Sequence, residues 1–233
     1  MRHLLPALLL SLVGCIDSSE IDGNGRIVEV ERDVSTFRAI EVSDGLRAEV
    51  AVGPQHVTLR LDDNILDHVR VEVRGDVLFL EAKDRNMGFD PSAAAVIRVA
   101  SPEVTSITVR DGSSARAEAR GEEVSATSHD GARLVIDARA VRKIRASASD
   151  GSRIDVTGAA TDLAIEANDG SKVVSEVPSD SLEVRSRDGS EVRARASKSV
   201  RVEASDGSYV RIHGNPESRD VRTRDGSSVV FTE

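Results

Sequence analysis

From residue 104 onward, small or aliphatic residues occupy every second position on both sides of a recurrent Asp-Gly pair. Before the pairs they include Ile107 and Val109, Ala146 and Ala148, Ile165 and Ala167, and Val202 and Ala204. After the pairs they include Ile154 and Val156, Val192 and Ala194, and Val210 and Ile212. The positions between are mainly charged, as at Arg145, Glu166, Arg185, Glu191, Arg193 and Arg211. A period of two means extended chain with one buried face, and a Gly-containing pair between two such runs marks a turn. The pairs are Asp111-Gly112, Asp130-Gly131, Asp150-Gly151, Asp169-Gly170, Asp188-Gly189, Asp206-Gly207 and Asp225-Gly226, spaced by 19, 20, 19, 19, 18 and 19 residues. Six continue with Ser, and the second continues with Ala132.

A second set of turn signals falls midway, at Arg120-Gly121, Thr157-Gly158, Val177-Pro178 and His213-Gly214-Asn215. Each repeat is therefore expected to hold two short strands and two turns. A unit this small has nothing to cover its own apolar face, so neighbours must stack. The predicted fold class is all-β, a single-stranded parallel β-helix with coils of about 19 residues and two main sheets, its strands about 4.8 Å apart. Because Val, Ala, Ser and Ile dominate the inward positions, the sheets should lie close and enclose no ligand cavity. A hairpin meander is the competing architecture, and it calls for mirror-related successive repeats instead of identical ones.

Upstream the template is looser. Ile40 to Val52 repeats it around Asp44-Gly45, and Val69 to Ala82 gives strands around Arg74-Gly75-Asp76. The intervening breaks are Asp62 to His68, which reads as one helical turn, and Asp84 to Ala93. Residues 26–233 are thus expected to form one β-helix domain, with irregular, wider opening coils at 26–103 and the regular array at 104–233.

The amino terminus has a different pattern. After Met-Arg-His comes an apolar run from Leu4 to Val13, too short to span a bilayer as a helix and preceded by one basic residue, as in a secretory signal. Leu12-Val13-Gly14-Cys15 resembles the lipobox of bacterial lipoproteins. That resemblance implies a signal peptide at 1–14, lipid on Cys15 and a membrane partner. With Ile16 after the cysteine, the sorting rule of enteric bacteria implies the outer membrane. Residues 15–25 are rich in Gly, Ser and Asp and read as a lipidated, flexible tether.

Composition narrows the chemistry. A net charge of -9 argues against a general affinity for nucleic acid. One cysteine excludes a disulfide framework and a thiolate zinc site. Aromatics are 2% of the chain, without Trp, which removes the usual platform for stacking sugars. His56, His68, His129 and His213 are scattered without metal-ligand spacing.

The order of segments Arg32 to Ile40, Asp44 to Val50, Asp62 to Asp67, Val77 to Leu80 and Ile107 to Ser113 resembles the head GIN domain family of putative bacterial adhesins. The resemblance covers nearly all of the chain beyond the signal and implies a β-helix at the cell surface or in the periplasm. The chain departs from the family in using Asp-Gly-Ser where many members have Ser-Gly-Ser, which adds a column of carboxylates. Each Asp is expected to bond its own turn backbone while Ser closes the corner. Calcium held between coils is the alternative role, weakened by the supply of one Asp per coil. The resulting expectation is a lipid-anchored, non-enzymatic surface without cofactor, contacting cell-surface polysaccharide or protein. A polysaccharide-binding or polysaccharide-cleaving β-helix and a structural spacer or envelope-stress accessory remain alternatives.

Overall fold

The computed structural model describes residues 19–84 and 86–233. The signal peptide expected at 1–14 and the lipidation site Cys15 lie outside the described residues. Along the chain, β1 (Ser19–Asp22), β2 (Ile27–Glu31), β3 (Ala39–Val42), β4 (Arg47–Val52) and β5 (His56–Asp62) lead to the single helical turn α1 (Asp63–Leu66). Then come β6 (Val69–Arg74), β7 (Val77–Ala82), β8 (Met87–Asp90), β9 (Val96–Ser101) and β10 (Ser106–Val109). Five long strands follow, β11 (Ser114–Ser128), β12 (Arg133–Ala148), β13 (Arg153–Ala167), β14 (Lys172–Ser186) and β15 (Glu191–Ala204), each running from one Asp-Gly turn to the next. The array closes with β16 (Tyr209–His213), β17 (Ser218–Thr223) and β18 (Ser228–Thr232).

Each long strand pairs in parallel with its counterpart one coil later. Leu134 lies beside Ala115 and Ile154, and Ile144 beside Val124 and Leu163. Identical repeats in parallel register make a β-solenoid and exclude the meander.

The turn at His213-Gly214-Asn215 separates β16 from β17 as expected, but at Gly121, Gly158 and Pro178 the strand runs on, contrary to the two-turn expectation. The chain bends at those points while remaining hydrogen-bonded to its neighbours, so both faces of the solenoid belong to one folded sheet. The bend is a register irregularity, between Ala119 and Gly121 in β11 and between Ala138 and Val141 in β12. Unequal coil lengths are absorbed here: the extra residue of the 20-residue coil sits at Arg139-Ala140, and Ala140 takes a φ of 55° to hold it. A bulge bends a strand without surrendering the ladder on either side.

Alternation decides which side is buried. Leu134, Ile136, Ile144, Ala146 and Ala148 of β12 are inside, while Arg133, Val135, Asp137, Lys143, Arg145 and Ser147 point outward. At the first three turns of the array, the inward residues four before and four after the Asp compensate in size, Ile107 with Ala115, Ala126 with Leu134, and Ala146 with Ile154, while later turns pair two branched residues, as Val184 with Val192. Large paired with small keeps the two faces at one separation, as native packing density requires. Full burial of each large aliphatic side chain contributes about 1.5–3 kcal/mol.

The opening segment is only partly made of coils. Strands β3, β4, β7 and β9 join the parallel stack, but β2, β5 and β6 run antiparallel to their partners. The reversal at Gly75-Asp76 folds β6 back onto β7, so this end finishes in hairpin-like pairing instead of a bare coil. Residues 19–25, expected within the tether, are tied down as well. Strand β1 pairs with β8, and the Gly23 amide donates to the Asp90 carbonyl.

Asp62, fully buried, fastens this end. Its carboxylate accepts hydrogen bonds from the Ser92 amide (3.0 Å), the Ser92 hydroxyl (2.6 Å) and the Gly25 amide (2.8 Å). Burial alone would raise its pKa, but the bonds from Ser92 and Gly25 outweigh it and hold the group below its usual range. A depressed carboxylate stabilises the fold above the unfolded pKa of about 3.9, and that contribution disappears as pH falls through the folded value. Asp62→Asn should therefore flatten the dependence of Tm on pH between about 2 and 5; an unchanged slope in thermal melts would show that Asp62 is not the acid-sensitive fastener.

Candidate functional site

The column of Asp-Gly turns has one repeated geometry. Asp111, Asp130, Asp150, Asp169, Asp188, Asp206 and Asp225 have φ between 51° and 57°, and Gly112, Gly131, Gly151, Gly170, Gly189, Gly207 and Gly226 between 67° and 74°. Two consecutive left-handed residues make a type I′ turn, which favours Asp followed by Gly. The turn is closed by backbone, for example from the Ser171 amide to the Asn168 carbonyl at 3.1 Å. The ladder also crosses the turn, because each Gly amide from Gly112 to Gly207 donates to the Asp carbonyl of the next coil, as Gly170 does to Asp188 at 2.8 Å.

This corrects the expected role of the aspartates. Within the regular array, the side-chain bond formed at these turns is that of Asp150, which accepts from the Ser149 hydroxyl at 2.5 Å. Asp44, at the foot of the column, accepts the Ala82 amide of another strand at 2.8 Å. Aspartate is used because it tolerates left-handed backbone, and not because its carboxylate closes the turn. Serine also works between coils. Ser152, Ser171, Ser190, Ser208 and Ser227 are each bonded, at 2.7–2.9 Å, to a carbonyl of the preceding coil. Accordingly, Asp169→Asn should be near neutral, whereas Asp169→Val should cost about 2 kcal/mol from φ strain. Equal stability of the Asn and Val variants in urea titrations would contradict that assignment.

Among the described residues, no three His, Cys, Asp or Glu side chains converge as a metal-sized cluster. The foot of the column has distinctive electrostatics. Burial raises the Asp111 pKa, and the carboxylates of Asp44 and Asp130 push the same way against Arg110. Cavities of about 510 and 440 Å³ flank this point, one beside Phe89 and the other beside Arg70 and Arg74.

In the fold, His129, one of the histidines scattered along the sequence, meets residues of catalytic type. His129 Nδ1 lies 2.6 Å from Ser149 Oγ, which bonds Asp150. The serine sits between imidazole and carboxylate, so its single proton goes to the acid and Nδ1–H donates to it. A nucleophilic triad needs the imidazole in the middle, with the carboxylate orienting it toward the serine. Here the chain of bonds ties two coils together. His129 and Ser149 occupy equivalent repeat positions one coil apart, which was the available sequence signal.

The outward faces are ladders of alternating charge. Lys172 and Arg193 both bond Glu191, at 2.6 and 2.7 Å, and hold its pKa down. Arg142 bridges Asp162 (2.8 Å) and Glu122 (3.2 Å) on adjacent coils. Such exposed pairs contribute about 0–1 kcal/mol each and chiefly keep the faces hydrated. Toward the carboxyl end the ladder becomes cationic, and Arg187, Arg222 and Arg224 line a depression of about 310 Å³ with Glu203, Ala204 and Ser205.

Residues 36–216 match the family described as "Putative auto-transporter adhesin, head GIN domain". No curated protein matches the chain. Among solved structures, a putative adhesin from Bacteroides fragilis is similar with a TM-score of 0.76 and 14% identity, covering 91% of this chain and 100% of that one. A putative adhesin from Parabacteroides merdae gives 0.67 at 12% identity, with 92% and 100% covered. A protein from Parabacteroides distasonis described as a putative lipid binding protein gives 0.65 at 15% identity, also covering 92% and 100%. At these identities the likeness is one of fold.

Proposed function

Because the chain belongs to the head GIN domain family of putative auto-transporter adhesins, we propose that it is a non-enzymatic, adhesin-like interaction surface of the cell envelope, attached to membrane by lipid on Cys15. The observation that carries the reading is the stack itself. A rigid solenoid with its small side chains packed inward presents charged, hydrogen-bonding faces over many coils, a surface suited to distributed contact with polysaccharide or protein. Leu12-Val13-Gly14-Cys15 supplies the anchor and Ile16 the outer-membrane assignment.

Cys15→Ala should move the protein from the membrane to the soluble fraction and abolish fatty-acid labelling, since stable attachment needs more than one acyl chain. Unchanged partition of that variant would overturn the anchor. Protease added to intact cells tests the surface: an adhesive protein must be cut, and protection of the whole population would favour a periplasmic spacer.

A further inference from the structure

We infer that the last three coils carry a slot for the carboxylate group of an acidic polysaccharide, formed by Arg187, Ser205 and Arg224. The inference rests on the adhesive reading and adds a ligand class to it. The residue before each turn Asp points outward, and along the solenoid these residues form the series Arg110, His129, Ser149, Asn168, Arg187, Ser205, Arg224. Only at its end does a short side chain stand between two arginines. The arginines are two coils apart, on the order of 10 Å along the axis. The gap left by Ser205 is the 310 Å³ depression, at the small end of the roughly 300–1,000 Å³ of ligand pockets.

Charge distinguishes the slot from the rest of the ladder. Arg222 is engaged by Glu203 and Asp220, each at 3.7 Å. Arg110, in the equivalent position lower in the column, is tied to Glu41. Among the described residues, Arg187 and Arg224 have no carboxylate partner within ion-pair distance. Residues 185–224 hold ten basic and six acidic side chains, a local charge of +4 within a chain of -9. The turn carboxylates of Asp188, Asp206 and Asp225 do not line the depression.

The donor set selects the ligand. Guanidinium groups present paired donors that match a carboxylate in bidentate fashion. Glu203, in the same wall, accepts hydrogen bonds from sugar hydroxyls and repels a dense phosphate array. Because the depression is lined by outward-facing side chains such as Glu203 and Arg222, a polymer lying across it can place one acidic side group inside.

The test titrates the purified chain against immobilised polygalacturonate, its fully methyl-esterified form and vesicles of phosphatidylglycerol. The expected result is binding to polygalacturonate alone, weakened at least tenfold both by Arg187→Ala with Arg224→Ala and by Ser205→Arg, which fills the gap, with melting temperatures unchanged. Arg195→Ala, a cation outside the slot, should bind as wild type. Equal binding of the esterified polymer, equal binding by the slot variants, or preference for the vesicles would overturn the slot. Adhesion of intact cells with and without the protein, scored in parallel, separates failure of the slot from failure of the adhesive reading.

Discussion

Removing Asp150 to Asn168 should leave a folded protein shorter by one coil. The deletion takes 19 residues and joins Ser149 to Asp169, so the following turn keeps its φ pattern and the inward positions keep their parity. Strand β12 then stacks on β14. In the joined coil, Ala146 is paired with Val173 in place of Ile154, the loss of about one methylene and about 1 kcal/mol. Ion pairs such as Arg142 with Asp162 also disappear, but they are exposed and weak. Because solenoid stability sums over coils and their neighbours, Tm should fall by less than about 10 °C. Deleting Asp150 to Gly158 removes an odd number of residues and one turn. Leu163 and Ile165, now fully buried, would be turned outward, and the protein should aggregate or melt without cooperativity. Circular dichroism and thermal melts of both deletions decide the matter: a disordered whole-coil variant would refute the register.

Gly158→Ala is expected to be the most damaging single methyl addition among the array glycines. At this corner φ is +103°, and an added Cβ would lie 2.0 Å from the Ala138 carbonyl oxygen of the preceding coil. Neither atom is free to move, since both belong to the hydrogen-bonded ladder. Backbone strain and overpacking together should cost about 3 kcal/mol or more. Gly170→Ala is the control: its φ of +68° is strained for alanine, but nothing lies within 4 Å of the added methyl, so the cost should be about 1 kcal/mol. Urea titrations that rank Gly170→Ala as the worse variant would show that the Asp-Gly turn, and not the midway corner, limits the coil.

The regular array was legible because two independent periods, two residues and about 19 residues, agree. Alternation put Leu134 and Ile136 inside, and the repeat put each beside its counterpart. The midway corner misled at Gly121 and Gly158, which carry an ordinary turn signal although the strand bends through them, whereas the same signal at Gly214 marks a true break between β16 and β17. Strand β1 was hidden for another reason. Ile21 is a lone apolar residue among the polar ones of β1, and its partner strand β8 lies far along the chain, with Ile21 beside Phe89. The aspartate column was located correctly but misread, because propensity for left-handed backbone and side-chain capping favour the same residue type. The Arg187 and Arg224 slot was invisible as a motif, since it consists of a serine where the repeat places an arginine on either side, two coils apart.

The serine rivets and the amide ladder all run along the solenoid axis, which gives the molecule a mechanical character. A molecule held at its amino end and pulled through the slot near its carboxyl end bears tension in the direction of those bonds. Failure begins at the terminal coil, where β17 and β18 have neighbours on one side only, and proceeds layer by layer. Each coil that peels frees about 19 residues, on the order of 65 Å of extended chain. Nearly equal layers yield nearly equal steps, but the first layers to peel carry Arg224 and then Ser205, so a load that opens the terminal coil also opens the slot, and the strength of that last coil sets the load the attachment can bear.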